Sequence, residues 1–150
     1  MMKRKTVISK LGIEMTVDAT IEEVNLEGFD FLFIPGGPGA FKILNTLPKV
    51  DEIIKHFVDN HKLVTAICAA PMLIGRLGYL KEKNYTVHPG FEDQIIGGTY
   101  LRDLGVVKDH NFITGKSMYY ALELALEVVR FFYGDKHTKV LLDSLQGEMK

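Results

Sequence analysis

The stretch "KLVTAICAAP", Lys62 to Pro71, decides how the rest of the chain is read. Leu63 to Ile67 is a nearly unbroken apolar run rather than an alternating one, the pattern of a strand buried on both faces. It leads straight into Cys68, the only cysteine of the 150 residues. The small Ala69 and Ala70 follow, and then Pro71, which is well tolerated in the first turn of a helix. A buried strand that turns through small residues into a helix is the building unit of an α/β domain, so the neighbouring segments are read against it.

Upstream, "GFDFLFIPGG" (Gly28 to Gly37) is a second continuous apolar run, expected to be a central parallel strand ending in a Pro-Gly-Gly turn. Between the two, "LPKVDEIIKHFVDNHK" carries Val50, Ile53, Ile54, Phe57 and Val58 at helical spacing, with Pro48 in the first turn. "TVISKLGIEMTVDATIEEV" (Thr6 to Val24) reads as two short strands around Lys10, Leu11 and Gly12. Downstream, "PMLIGRLGYL" (Pro71 to Leu80) reads as a short buried helix. "NYTVHPGF" (Asn84 to Phe91) reads as a short strand ended by His88-Pro89-Gly90, and "EDQIIGGTY" as a helical turn closed by Gly97-Gly98. "VVKDHNFIT" is expected to be strand–turn–strand with the turn over Lys108 to Asn111. "MYYALELALEVVRFFYG" (Met118 to Gly134) is the strongest helix, with Ala121, Leu124, Ala125, Val128 and Phe132 on one face and Gly134 as its stop. "HTKVLLDSLQ" forms a last short helix. This order predicts one doubly wound α/β domain over residues 1–150, with ligands beyond the carboxyl ends of the strands. Pro35-Gly36-Gly37, Cys68 and His88-Pro89 all fall at those ends.

Composition narrows the function classes. The formal net charge is −1, so no basic surplus points to nucleic acid. No apolar run reaches the length that crosses a bilayer, and the opening residues lack the apolar core of a signal peptide. A single cysteine forms no internal disulfide, which makes a reducing, cytoplasmic setting the expectation. No His, Cys and carboxylate cluster has metal-ligand spacing, so no metal site is expected.

By residue type alone, Cys68 reads first as an inert core thiol. Its place reverses that order. A strand followed by Ala69-Ala70-Pro71 has the form of a nucleophile elbow, in which a tight turn exposes the reactive atom. A helix opening at Ala69 or Ala70 would aim free N–H groups at the sulfur. "PGGPGA" fits neither a Walker loop nor a dinucleotide fingerprint. It reads either as a turn that needs glycine dihedrals or as a source of oxyanion donors at Gly36 and Gly37. His88 reads either as an ordinary surface histidine or as a general acid or base, if its strand ends on the sheet edge that carries Cys68. His56, His61, His110 and His137 receive no role.

Together, "FDFLFIPGGPGA", "LVTAICAAP", "YTVHPG" and "ALELALEVV" resemble the ThiJ/PfpI superfamily, and within it the ThiJ-like branch that includes the Parkinson's-associated protein deglycase. The resemblance runs in order from about Val7 to about Val140. It implies a flavodoxin-like fold related to class I glutamine amidotransferases, usually as a homodimer. It implies that Cys68 is the reactive nucleophile and is prone to oxidation, that Gly37 and the Ala69 N–H form the oxyanion site, and that His88 is the active-site histidine. The implied activity is a cofactor-free glyoxalase or deglycase acting on small reactive carbonyls or their adducts. The alternative is a non-catalytic redox sensor or chaperone. The protease-like branch carries histidine directly after the cysteine, and Ala69 stands there instead, which weakens a PfpI-type peptidase reading.

Two departures shape the expectations. The family's opening strand–helix–strand unit, whose glutamate shares a proton with the cysteine, has no match in these residues. Glu14, Glu22 and Glu23 lie in a later segment and do not replace it. Without that unit's first strand, "FDFLFIPG" is expected to have no partner on one side, leaving unpaired backbone groups and exposed core. The chain is therefore expected to behave as an N-terminally truncated version of the fold, through an internal start, proteolysis or a shortened homologue, and to be catalytically impaired or inactive on its own. The family's dimer-contributed arginine falls near Leu11, with Lys10 adjacent.

Overall fold

The computed structural model describes residues 5–9 and 11–148. Lys10, beside the position of the family's arginine, lies outside the described residues. The main sheet has four strands in the order β3 (Phe31–Ile34), β4 (Leu63–Ile67), β6 (Phe112–Gly115) and β5 (Val106–Asp109). The first three run parallel, and β5 pairs antiparallel with β6. A separate antiparallel hairpin is made by β1 (Lys5–Ile8) and β2 (Glu14–Val17). Gly12 supplies its turn at φ 79°, a left-handed value that glycine adopts without strain.

Every residue of β4 is buried, as its unbroken apolar run predicts. Successive side chains of a strand point to opposite faces. Val64 and Ala66 join the larger core, formed with α2 (Pro48–Asp59) and α3 (Pro71–Gly75). Leu63 and Ile67 join a smaller cluster on the other face with Ile113 and Leu124. Thr65 is fully buried and donates its hydroxyl to the Leu32 carbonyl at 2.9 Å. In α2, Val50, Ile53, Ile54 and Phe57 form the buried stripe, while Lys49–Glu52 and Lys55–Asp59 pair on the outer face. Arg76 bridges to Asp51, tying the chain after α3 to α2.

Phe31–Ile34 has β4 as its one partner among the described residues, so it forms an edge of the sheet, unpartnered on one side as expected. Leu32 and Ile34 pack toward α2, while Phe31 and Phe33 stay 40% and 47% exposed on the other side, where the Phe31 ring meets that of Phe132 at 5.8 Å. Three other expectations change. The helix after Cys68 is a five-residue turn, Pro71–Gly75, continued by further turns to Leu80. Asn84–Tyr85 does not join the main sheet; it pairs in parallel with Thr99–Tyr100. The turn between β5 and β6 is only His110-Asn111, since Lys108 and Asp109 still pair in the ladder.

The last helical segment spans Ala121–Leu145, and Gly134 divides it into the two helices expected. At φ 78° and ψ 176°, Gly134 adopts a conformation open essentially only to glycine, so the segment is two helices joined at a kink. Of the five residues expected on its inner face, Leu124 is buried, Val128 half-buried and Phe132 40% exposed. Among the described residues, no helix is long and apolar enough to cross a membrane.

Candidate active site

Cys68 follows β4 directly and has φ 64°. A non-glycine residue in this region carries strain of order 1–3 kcal/mol, which persists only where the surroundings hold it. Three contacts hold it here. The Cys68 N–H donates to the Gly115 carbonyl at 2.8 Å, its carbonyl accepts from the His88 N–H at 2.9 Å, and the Ala70 N–H closes the turn on the Ile67 carbonyl at 3.2 Å. The thiol is free and partly exposed. The strained turn thus stands immediately at the carboxyl end of the strand.

Gly36 lies against this turn. A Cβ at Gly36 would sit 2.5 Å from Cys68 Cβ, 2.7 Å from the Ile67 carbonyl oxygen and 3.3 Å from Cys68 Sγ. Glycine is required there for close approach of the two loops. Gly37 is required for a different reason: it has φ 93° and ψ 174° at the start of α1 (Pro38–Lys42), while an added Cβ would meet nothing described within 4 Å. The N–H groups of Gly36, Gly37 and Ala69 have no hydrogen-bond acceptor among the described residues. The loop that presses on the thiol and the turn that carries it therefore both supply spare donors.

His88 is brought to Cys68 by the backbone bond just described and not by membership of the main sheet. The segment leading to it is fastened twice. The Asn84 N–H donates to Asp109 at 2.8 Å and the Thr86 N–H donates to the buried Thr114 hydroxyl at 2.9 Å. The Asn84 N–H, with lesser help from His110, holds the Asp109 carboxyl below its ordinary value. The exposed His88 ring has Nδ1 3.0 Å from the Pro89 carbonyl oxygen. A carbonyl only accepts, so Nδ1 is the donor in this contact, and in the neutral ring Nε2 then carries the lone pair.

Three residues with no role in the sequence reading belong to this neighbourhood. The Phe91 ring lies 6.1 Å from the His88 ring and 5.2 Å from that of Phe41 on α1. Glu92 accepts from the Gly90 N–H at 2.6 Å, bracing the loop, and its own and neighbouring backbone N–H groups lower its pKa. Their closeness to the PGG and HPG motifs was the available signal, but the ring contact spans residues 50 positions apart in sequence. No group of three or more His, Cys, Asp or Glu side chains among the described residues could hold a metal ion. Glu14 is on the hairpin, and Glu23 pairs with Lys5 and accepts from Thr20.

The sequence profile of the DJ-1/PfpI family matches residues 1–131. The chain belongs to the DJ-1/PfpI family. It is 38% identical over 126 residues to an uncharacterised protein of Methanocaldococcus jannaschii, covering 82% of this chain and 62% of that one. It is 34% identical over 136 residues to a glutathione-independent glyoxalase of Caenorhabditis elegans, covering 89% of this chain and 72% of the other. A deglycase of Pyrococcus abyssi is 34% identical over 116 residues, which cover 76% and 69%. The chain thus spans roughly two thirds of the length of these relatives. The crystal structure of Drosophila melanogaster DJ-1beta superposes with a TM-score of 0.85 at 26% identity, over 95% of this chain and 77% of that one. The flavodoxin-like α/β fold of the family is therefore present here.

Proposed function

We propose that this DJ-1/PfpI chain is a cysteine-dependent glyoxalase- or deglycase-type enzyme for small reactive carbonyls or their adducts. The observation that carries the reading is the left-handed Cys68 turn, whose sulfur is crowded by a loop with unpartnered N–H groups at Gly36 and Gly37. Preorganised donors beside a nucleophile are what a developing oxyanion requires.

With an α-oxoaldehyde, the Cys68 thiolate adds to the aldehyde carbon. A C–S bond forms, and the carbonyl electron pair moves onto oxygen, stabilised by the Gly37 and Ala69 N–H groups until it takes up a proton. His88 Nε2 then moves the proton on that carbon to the adjacent carbon while the new hydroxyl proton passes to the neighbouring oxygen, leaving a 2-hydroxy thioester. Water cleaves the thioester to a 2-hydroxy acid and restores the thiol. No external electron acceptor is needed, because one carbon is oxidised as its neighbour is reduced. The names of the nematode and archaeal relatives support this class of substrate.

The test is methylglyoxal turnover by protein of verified intact mass 16.9 kDa, compared with Cys68→Ser. Turnover that Cys68→Ser abolishes while the fold is retained supports the enzyme. The partial exposure of Cys68 favours a second reading, a redox sensor. That reading expects no turnover by either protein, and a peroxide-dependent mass gain confined to Cys68.

A further inference from the structure

The two loops that frame the thiol are joined by aromatic rings. Phe41 stands four residues after Gly37 and Phe91 three residues after His88. Their rings meet at 5.2 Å between centroids with a 47° tilt, and Phe91 also presents a T-shaped contact to the His88 ring. Both phenylalanines are half-buried and pack against the main core, so each is anchored on one side and open on the other. The bond from the Gly90 N–H to Glu92 fixes the loop that carries Phe91. His88, Phe91 and Phe41 therefore form one continuous aromatic rim running from the proposed proton-transfer group to the loop of the proposed oxyanion donors. A carbonyl held between Gly37 and His88 has two sides: the reacting carbon faces Cys68, and its substituent must lie along or away from this rim.

Resting on the reading that Cys68 is a carbonyl-directed nucleophile, we propose that the Phe41–Phe91 pair makes this site selective for α-oxoaldehydes with a flat aromatic substituent over those with a methyl group. An aryl group shields the exposed faces of the rim from water and gains an offset or edge-on ring contact, while a methyl group covers only part of it. Phe41 and Phe91 are specificity-determining residues here and transfer no proton.

The experiment compares kcat/KM for phenylglyoxal and methylglyoxal in the wild type, Phe41→Leu, Phe91→Leu and Phe91→Tyr. The phenyl-to-methyl ratio is expected to fall about two- to tenfold for each leucine variant, the range of a single aromatic contact, and to be retained in Phe91→Tyr. The same proteins are alkylated at Cys68 with phenacyl chloride and with chloroacetone, and the rate ratio is divided by that of free N-acetylcysteine. Wild type should prefer the aryl reagent beyond the free thiol, and the leucine variants should lose that preference. Ratios unchanged in both folded leucine variants overturn the proposal. If no protein turns over either aldehyde, the enzymatic reading falls, and the alkylation ratios alone decide whether the rim selects aryl groups.

Discussion

Gly36→Ala is the substitution that most directly probes how the thiol is held. The added Cβ would lie 2.5 Å from Cys68 Cβ and 2.7 Å from the Ile67 carbonyl oxygen, both well inside contact distance. Neither neighbour swings aside cheaply. Ile67 is in a fully buried strand, and Cys68 is fastened by its N–H to Gly115 and by its carbonyl to His88. Overpacking of this kind costs about 1–3 kcal/mol. For a chain of 150 residues, each kcal/mol lowers Tm by about 2–4 °C, so a fall of roughly 2–12 °C is expected. Gly37→Ala is the control. It costs a similar ~1–3 kcal/mol through its φ of 93°, but its Cβ meets nothing described within 4 Å. Both variants should therefore melt lower than the wild type. Only Gly36→Ala should slow alkylation of Cys68 by iodoacetamide well below the melting range, because only there does the new methyl reach Sγ, at 3.3 Å. A Gly36→Ala protein with wild-type Tm and wild-type alkylation rate would refute the close-packed elbow.

Three further outcomes follow from the same structure. Cys68→Gly should be at least as stable as Cys68→Ala in chemical denaturation, by up to about 1 kcal/mol, because alanine keeps the left-handed strain that glycine relieves; a clearly more stable alanine variant would mean the turn is unstrained. Phe33→Lys should reduce concentration-dependent light scattering relative to the wild type, since charge on an exposed edge strand opposes edge pairing; unchanged scattering would show that β3 is not the sticky surface. Asp109 has a lowered pKa, so its contribution is present above the ordinary carboxylate value of about 3.9 and is lost as pH falls through the lower folded value. Exchange of the Asn84 amide, read by NMR, should stay protected at pH 5 and loosen only well below pH 4, and Asp109→Ala should abolish the protection at both; early loss between pH 5 and 6 would argue against this tether.

Much of the site could be read from local patterns. The five consecutive buried residues of β4 and the small residues after it identify Cys68 as a strand-end thiol, and the Pro-Gly-Gly sequence locates the loop beside it. The position of β3 was harder. A continuous apolar run specifies that both faces of a strand favour burial, but it does not say whether a second strand is present to pair with it. Phe31–Ile34 is such a run at a sheet edge, with Leu32 and Ile34 covered and Phe31 and Phe33 exposed. The two-residue pairing of Asn84–Tyr85 with Thr99–Tyr100 likewise depends on a partner 15 residues away, which hydrophobic periodicity does not encode.

The sequence by itself determined the order of strands and helices, the family, and the identity of the thiol, because burial pattern, turn residues and motif order are properties of contiguous residues. Only the tertiary structure decided how that thiol is held. The φ of 64° at Cys68 follows from hydrogen bonds to Gly115 and His88, neither of them near it in sequence, and the need for glycine at position 36 comes from a loop crossing within van der Waals range. The aromatic bridge of Phe41 and Phe91 likewise exists only once the two loops have met. Contacts of this range are set by how the elements pack, so a strand-end cysteine is legible in one dimension while its surroundings are fixed in three.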